Sequence, residues 1–95
     1  MKVRWSGPAE ADLDAAVLFI AEDDVSAALR MQDRLLAAAA ALEKLPHRGR
    51  AGRIDGTREL VVAGTPYMLI YEVAADHVWI IRVHHGAQDW PPGER

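Results

Sequence analysis

An α+β fold is predicted: an N-terminal strand, a two-helix antiparallel hairpin and a three-strand antiparallel meander (β-α-α-β-β-β), forming one domain across residues 1–95. Three observations predict it. Apolar residues recur at helical spacing between positions 13 and 45, whereas from 58 to 84 they come in short runs rich in valine, isoleucine, tyrosine and tryptophan. Glycine, proline and aspartate separate those runs where a chain must turn. The third observation is composition: 95 residues, 51% hydrophobic and 26% charged, suffice for one packed core and are too few for two.

Residues 2–5 form the first strand, ended by Ser6-Gly7-Pro8, in which serine or glycine caps a helix and proline suits its first turn. Leu13, Ala16, Val17 and Ile20 then share one helical face, and Glu10, Asp12 and Asp14 lie near the positive end of the helix dipole. This helix stops near Asp23-Asp24. A second starts between 24 and 26, carries Ala28, Met31, Leu35, Ala38, Leu42 and Leu45 along one stripe, and ends before Pro46. The alanine run at 37–41 favours helix and allows close packing on a neighbour.

Segment 47–56 reads as a loop, because its three glycines and its charged side chains do not suit a buried regular element. Strands follow at 58–62, 67–73 and 77–84, divided by Gly64-Thr65-Pro66 and Ala74-Ala75-Asp76. In the middle strand Tyr67, Leu69, Tyr71 and Val73 alternate with Met68, Ile70 and Glu72, so both faces are largely apolar and the strand belongs at the centre of the sheet. Ordered structure is expected over about 2–90, with Trp90 laid over the edge of the core and residues 91–95 frayed.

Net charge is −3, but its distribution is uneven. Residues 1–43 hold four basic against eight acidic side chains, residues 44–58 five (Lys44, Arg48, Arg50, Arg53, Arg58) against Asp55 alone, and residues 59–95 two against five. One cationic segment inside an anionic molecule can meet a phosphate backbone or an acidic partner, whereas no helix carries the basic face of a general nucleic-acid binder. The chain has no cysteine, and His47, His77, His84 and His85 lack ligand spacing, so neither a metal nor another cofactor is expected. The N-terminus lacks the apolar run of a secretory signal, and stretch 35–42 is far shorter than the roughly 20 residues that span a bilayer, which predicts a cytoplasmic protein without membrane contact.

The run 57–73, from Thr57-Arg58-Glu59-Leu60 to Tyr71-Glu72-Val73, followed by Ile80-Ile81-Arg82-Val83-His84-His85-Gly86-Ala87-Gln88-Asp89-Trp90, resembles the C-terminal half of the RelE/ParE toxin family. Leu45-Pro46-His47-Arg48-Gly49-Arg50 is similar to the family's turn after the second helix, and Ala11-Asp12-Leu13-Asp14 with Ile20-Ala21-Glu22-Asp23 is similar to its first helix. The resemblance spans nearly the whole chain. It implies the toxin half of a bacterial type II toxin–antitoxin pair, neutralised in a hetero-oligomer by a cognate antitoxin protein.

Members of that family act either as ribosome-dependent endoribonucleases that cut messenger RNA (RelE-like) or as inhibitors of DNA gyrase (ParE-like). Metal-free RNA cleavage needs an acid, a base and cations at the crowded phosphate. His85, Arg82, Arg58 and His84 are the candidate catalytic residues for it, and Arg48, Arg50 and Arg53 the candidate RNA- or target-binding residues. On this basis mRNA cleavage at the ribosome is expected first, with gyrase inhibition or a catalytically degenerate antitoxin binder as the alternatives. Two positions depart from the nuclease pattern: Met68 and Gln88 stand where those relatives carry cationic side chains. Strand alternation sends the adjacent His84 and His85 to opposite faces, so at most one of them joins a given site.

Overall fold

The computed structural model describes residues 1–92. Strand β1 (Lys2–Trp5) leads into helices α1 (Gly7–Ala21) and α2 (Val25–Ala41), then strands β2 (Arg50–Ala51), β3 (Arg58–Val61), β4 (Tyr67–Val73) and β5 (His77–His85). The α+β order predicted from the sequence is the one observed. The strands form one sheet in the order β1-β5-β4-β3-β2, with β1 parallel to β5 and every other pair antiparallel. β4 is central, in keeping with its two apolar faces.

Both helices begin where the sequence places caps. The Ser6 hydroxyl accepts from the Ala9 amide, with Pro8 in the first turn of α1, and the Asp24 carboxylate accepts from the Ala27 amide at the start of α2. Ser6 also ties the helix to the sheet, its hydroxyl donating to the Ile81 carbonyl at 2.8 Å and its amide to the Ile80 carbonyl at 2.9 Å. The buried stripe of α2 is Ala28, Met31, Leu35, Ala39 and, just past its end, Leu42. Helix α2 ends earlier than Pro46 suggests. Its exit tightens into i to i+3 bonds (Leu42 to Ala39, Glu43 to Ala40, Lys44 to Ala41), which turns Leu45 out to solvent instead of onto the stripe.

The helical hairpin packs on the sheet face that carries Leu69, Tyr71, Val78, Ile80 and Val83, making one core with Leu13, Ala16, Met31 and Leu35. Register between β4 and β5 slips by one residue at Ile80–Arg82, where Ile81 is extra, a bulge that lets Ile80 and Val83 both face the helices. On the opposite face Glu59, Met68, Ile70 and His84 are buried although no helix covers them. Loop 52–57 and the tail close this side, the Trp90 ring lying 5.1 Å from that of His84 and the Arg53 guanidinium donating to the Trp90 carbonyl. Trp90 therefore does lie over the core edge. Of the tail expected to fray, residues 93–95 lie outside the described residues.

Three boundaries differ from expectation. Segment 47–56 is not wholly a loop, because Arg50 and Ala51 pair with Glu59 and Arg58; its glycines allow the chain to reach the edge of β3, and both strand residues stay exposed. Strand β3 ends at Val61, and β5 continues through His85, which pairs with Tyr67. Leu35, fully buried between hairpin and sheet, is the most direct test of this packing: Leu35→Ala lowers unfolding free energy by about 3 kcal/mol, read from the urea midpoint at unchanged m-value.

Candidate functional site

A groove of about 680 Å³ runs between α1 and the distal half of β5, lined among others by Asp12, Phe19, Tyr67, Arg82, His85 and Gln88. It exists because β1 stops at Trp5, leaving the outer edge of β5 beyond Ile80 without a strand partner. Asp12 fills that position from the helix. Its carboxylate accepts from the Arg82 Nε at 2.8 Å, the Arg82 Nη2 at 2.9 Å and the Val83 amide at 2.9 Å. The bond from Asp12 holds the Arg82 guanidinium still more firmly protonated than an ordinary arginine, so the pair is ionic but neutral overall.

His85 stands on the same side of the sheet as Tyr67, their rings edge to face at 5.2 Å. The His85 Nδ1 accepts from the Ala87 amide at 3.0 Å, which leaves the proton of the neutral ring on Nε2. Burial pushes the Tyr67 hydroxyl above its ordinary range, so it stays protonated. The groove therefore presents an imidazole Nε2, a phenol and an arginine already matched by a carboxylate.

Of the four candidate catalytic residues the fold brings together Arg82 and His85 only. His84 points to the other face as alternation requires, where it is buried, packs at a tilt against Trp90 and lies with Nε2 3.2 Å from the Gln88 carbonyl oxygen, which accepts its hydrogen. Arg58 lies with Tyr71 opposite it on β4 and donates to the Gly49 carbonyl at 2.8 Å and the His47 carbonyl at 3.4 Å. Tyr71, fully buried, accepts from the Gly49 amide at 2.7 Å. Together they seat the turn after α2. Gly49 is required there by space: a Cβ would lie 2.7 Å from the Tyr71 hydroxyl oxygen and 2.9 Å from the Glu59 carbonyl oxygen.

The three loop arginines do not act as one cationic patch. Arg50 bonds the Glu59 carboxylate at 2.9 Å, the Arg53 amide donates to its other oxygen at 2.9 Å, and the Arg53 guanidinium lies 3.9 Å away. Glu59 was not among the sequence-derived candidates. The signal available was an acidic side chain in a strand next to an arginine-rich loop, but strand alternation alone does not tell which loop folds over it. Burial alone pushes the Glu59 carboxyl up; the Arg53 amide, the Arg50 hydrogen bond and the charges of both arginines outweigh it and hold the group below the usual glutamate range. The Arg48 amide donates to the Leu45 carbonyl, while its guanidinium has no hydrogen-bond or ion-pair partner among the described residues. Nor do those residues contain a cluster of three or more histidines and carboxylates able to hold a metal, or a helix long and apolar enough to cross a membrane.

The chain is thus a hairpin of two helices on one face of a five-stranded sheet, with a groove at the helix–sheet seam. Residues 3–90 match the model of the family described as the ParE toxin of the type II toxin–antitoxin system parDE, and the chain belongs to that family. It is 42% identical over 90 residues to the protein Y4kP of Sinorhizobium fredii, covering 95% of this chain and 93% of that one. It is 41% identical over 87 residues to toxin RelE2 of Caulobacter vibrioides, covering 92% and 97%. A solved chain of the chromosomal ParDE TA system from P. aeruginosa shares the fold at a TM-score of 0.81 and 23% identity, covering 90% of this chain and 95% of that one.

The Glu59 clamp predicts a pH dependence. A carboxyl whose folded value is depressed adds stability that is complete above the unfolded glutamate value of about 4.3 and is lost as pH falls through the lower folded value. Urea midpoints measured between pH 7 and 3 should therefore fall more steeply at the acid end for the native protein than for Glu59→Gln, which starts lower at pH 7. Parallel profiles would remove Glu59 as the group responsible.

Proposed function

We propose that this chain is a growth-inhibiting toxin held inactive by a cognate antitoxin protein in the cytoplasm, and that it acts as a ParE-type inhibitor of DNA gyrase. The observation that carries the choice of target is the dispersal of the nuclease candidates. Of four, one is buried under Trp90 (His84), one anchors a turn (Arg58), one is neutralised by Asp12 (Arg82), and only His85 offers an uncommitted nitrogen. Cleaving an RNA phosphodiester needs positive charge where the transition state gathers negative charge, and the groove has none in excess. Met68 and Gln88, at positions where the nucleases of the family carry cations, point the same way. A protein that inhibits by occupying a surface of its target needs no convergent acid and base.

Ribosome-dependent mRNA cleavage is the second reading, favoured by one observation: Arg82, His85 and the Tyr67 phenol do line a common groove. In that case His85 Nε2 would exchange the proton of the 2′-hydroxyl or of the leaving oxygen, with Tyr67 as its counterpart.

The two readings part cleanly in experiment. Induced expression should arrest growth, leave messages full-length and abolish supercoiling by purified gyrase, and co-expression of the protein encoded beside it should restore growth. His85→Ala, at a residue whose ring serves only the Ala87 amide and the Tyr67 contact, should keep toxicity under the gyrase reading and lose it under the nuclease reading. New message ends inside codons, absent with His85→Ala, would reverse the assignment.

A further inference from the structure

The cover over the far face of the sheet stops short of one end. Loop 52–57 and the tail leave Glu59, Met68, Ile70 and His84 buried, but Lys2 and Arg4 of β1, Trp79 of β5 and Glu72 of β4 stay exposed on that same face. Register sets three of them side by side, Arg4 opposite Trp79 and Trp79 opposite Glu72. A cation, an indole and a carboxylate therefore form one row across three strands, spanning two strand spacings or about 10 Å. The Trp79 ring is 37% exposed and meets the His77 ring edge to face at 6.0 Å. Beside it is a hollow of about 470 Å³, lined by Arg4, Glu72, Val73, Ala74, His77 and Trp79.

The charges in this row are unspent, unlike those of the neighbouring strands. Arg58, Glu59 and Arg82 are tied to structural partners, and Asp76 is bonded to His77 at 2.8 Å. The Arg4 guanidinium and the Glu72 carboxylate have no hydrogen bond or ion pair among the described residues; Trp79 keeps them apart, and Arg4 acts on Asp76 through its charge alone. An indole open to solvent on a sheet is a stacking platform for a planar base. Glu72, at one end of it, accepts hydrogen bonds only and so selects a base edge made of donors. Guanine alone among the common bases offers two adjacent N–H donors, N1 and the exocyclic N2. Adenine and cytosine set an acceptor nitrogen beside the amine, and uracil and thymine flank one N–H with carbonyls. The sugar and phosphate leave guanine on its opposite side, toward Arg4, with Lys2 two residues away on the same face. A lysine or arginine side chain would stack on Trp79 too, but Arg4 and Lys2 repel it.

We infer that the row of Arg4, Trp79 and Glu72 is a binding site for a guanine nucleotide, free or as an unpaired residue of a single strand. The base stacks on Trp79, its N1 and N2 donate to the Glu72 carboxylate, and its phosphate meets the Arg4 guanidinium. The site lies on the face opposite the His85 groove and does not depend on whether gyrase or the ribosome is the target.

The test titrates the full chain, isotope-labelled, with guanosine 5′-monophosphate and follows the Trp79 indole N–H. Saturable shifts centred on Trp79, Glu72 and Arg4 are expected. Inosine 5′-monophosphate, which lacks only the exocyclic amine, should bind about tenfold more weakly, and adenosine 5′-monophosphate more weakly still. Trp79→Ala should lose about tenfold in affinity, and Glu72→Gln should bind the guanine and inosine nucleotides alike, each with a thermal midpoint near that of the native protein. A three-residue single strand with a central guanine separates the two sources. Tighter binding than the mononucleotide assigns the site to a strand, and equal or weaker binding assigns it to the free nucleotide. No saturable shift, equal affinity for the adenine nucleotide, unchanged binding by both variants, or shifts confined to the Phe19–His85 groove would overturn the inference.

Discussion

β1 is too short for its neighbour, and much of the molecule follows from how that deficit is met. Four residues of β1 pair with a nine-residue β5, so the edge from Ile81 onward would face α1 with unmatched amides and carbonyls. Ser6 takes the Ile80 and Ile81 carbonyls, and Asp12, one and a half turns further along α1, takes the Val83 amide. A carboxylate placed there to cap a strand needs a counter-charge, and Arg82 supplies it with two further bonds. The helix is thereby fixed to the sheet by polar contacts as well as by Leu13 and Ala16. Bonds of this kind contribute about 1.5–3 kcal/mol each when one partner is charged, enough to set where the helix sits.

The same economy operates at the other edge. Segment 46–57 passes around β3 from the helix side to the opposite face, and each half is held by a strand residue that the pleat directs to that side. Arg58 and Tyr71 hold it near the helices at His47 and Gly49, while Glu59 holds it on the far side through Arg50 and Arg53. A buried carboxylate is costly unless its oxygens are satisfied, and here one donor from each arginine residue does so, with the Arg53 guanidinium as a second charge nearby. The most cationic stretch of the chain is in this way largely consumed internally. Two of its arginines become the counterweight to a buried glutamate and Arg58 holds the turn, while the side chains of Lys44 and Arg48 have no such partner among the described residues.

How much of this the sequence discloses depends on the range of the interaction. The caps at Ser6 and Asp24, the helical stripe through Leu35 and the alternation that makes β4 central are local patterns, and all appear in the structure where they were expected. The opposed directions of His84 and His85 follow from the same two-residue period. What could not be read is pairing over distance. Asp12 and Arg82 are 70 residues apart, and nothing in either neighbourhood shows that an acid near the start of α1, expected merely to favour the helix dipole, will instead cap a strand. Glu59 and Arg50 are close in sequence, yet their contact depends on a loop whose path is set by Gly49 and Tyr71. Arg50, Arg53, Arg58, Arg82 and His84, named as candidates for their chemistry, therefore carry structural bonds that local sequence could not show.

That engagement bears on the kind of work the fold can do. A catalyst needs several polar groups converging on one reacting atom, with their charges unspent until the transition state. Here the sheet face away from the helices, where Met68 and His84 lie side by side in register, is sealed by the tail through Trp90 and by the loop through Arg53. A lysine at position 68 would be buried beneath that cover, whereas methionine fits it. The opposite face is filled by the hairpin. What remains open is surface: the seam groove with the exposed Phe19 at its rim, the groove beside Arg34 and Arg48, and the Trp79 end of the far face. These open surfaces, together with the separation of Arg58 and His84 from the seam groove, are what support the proposed reading of a toxin that acts by binding its target.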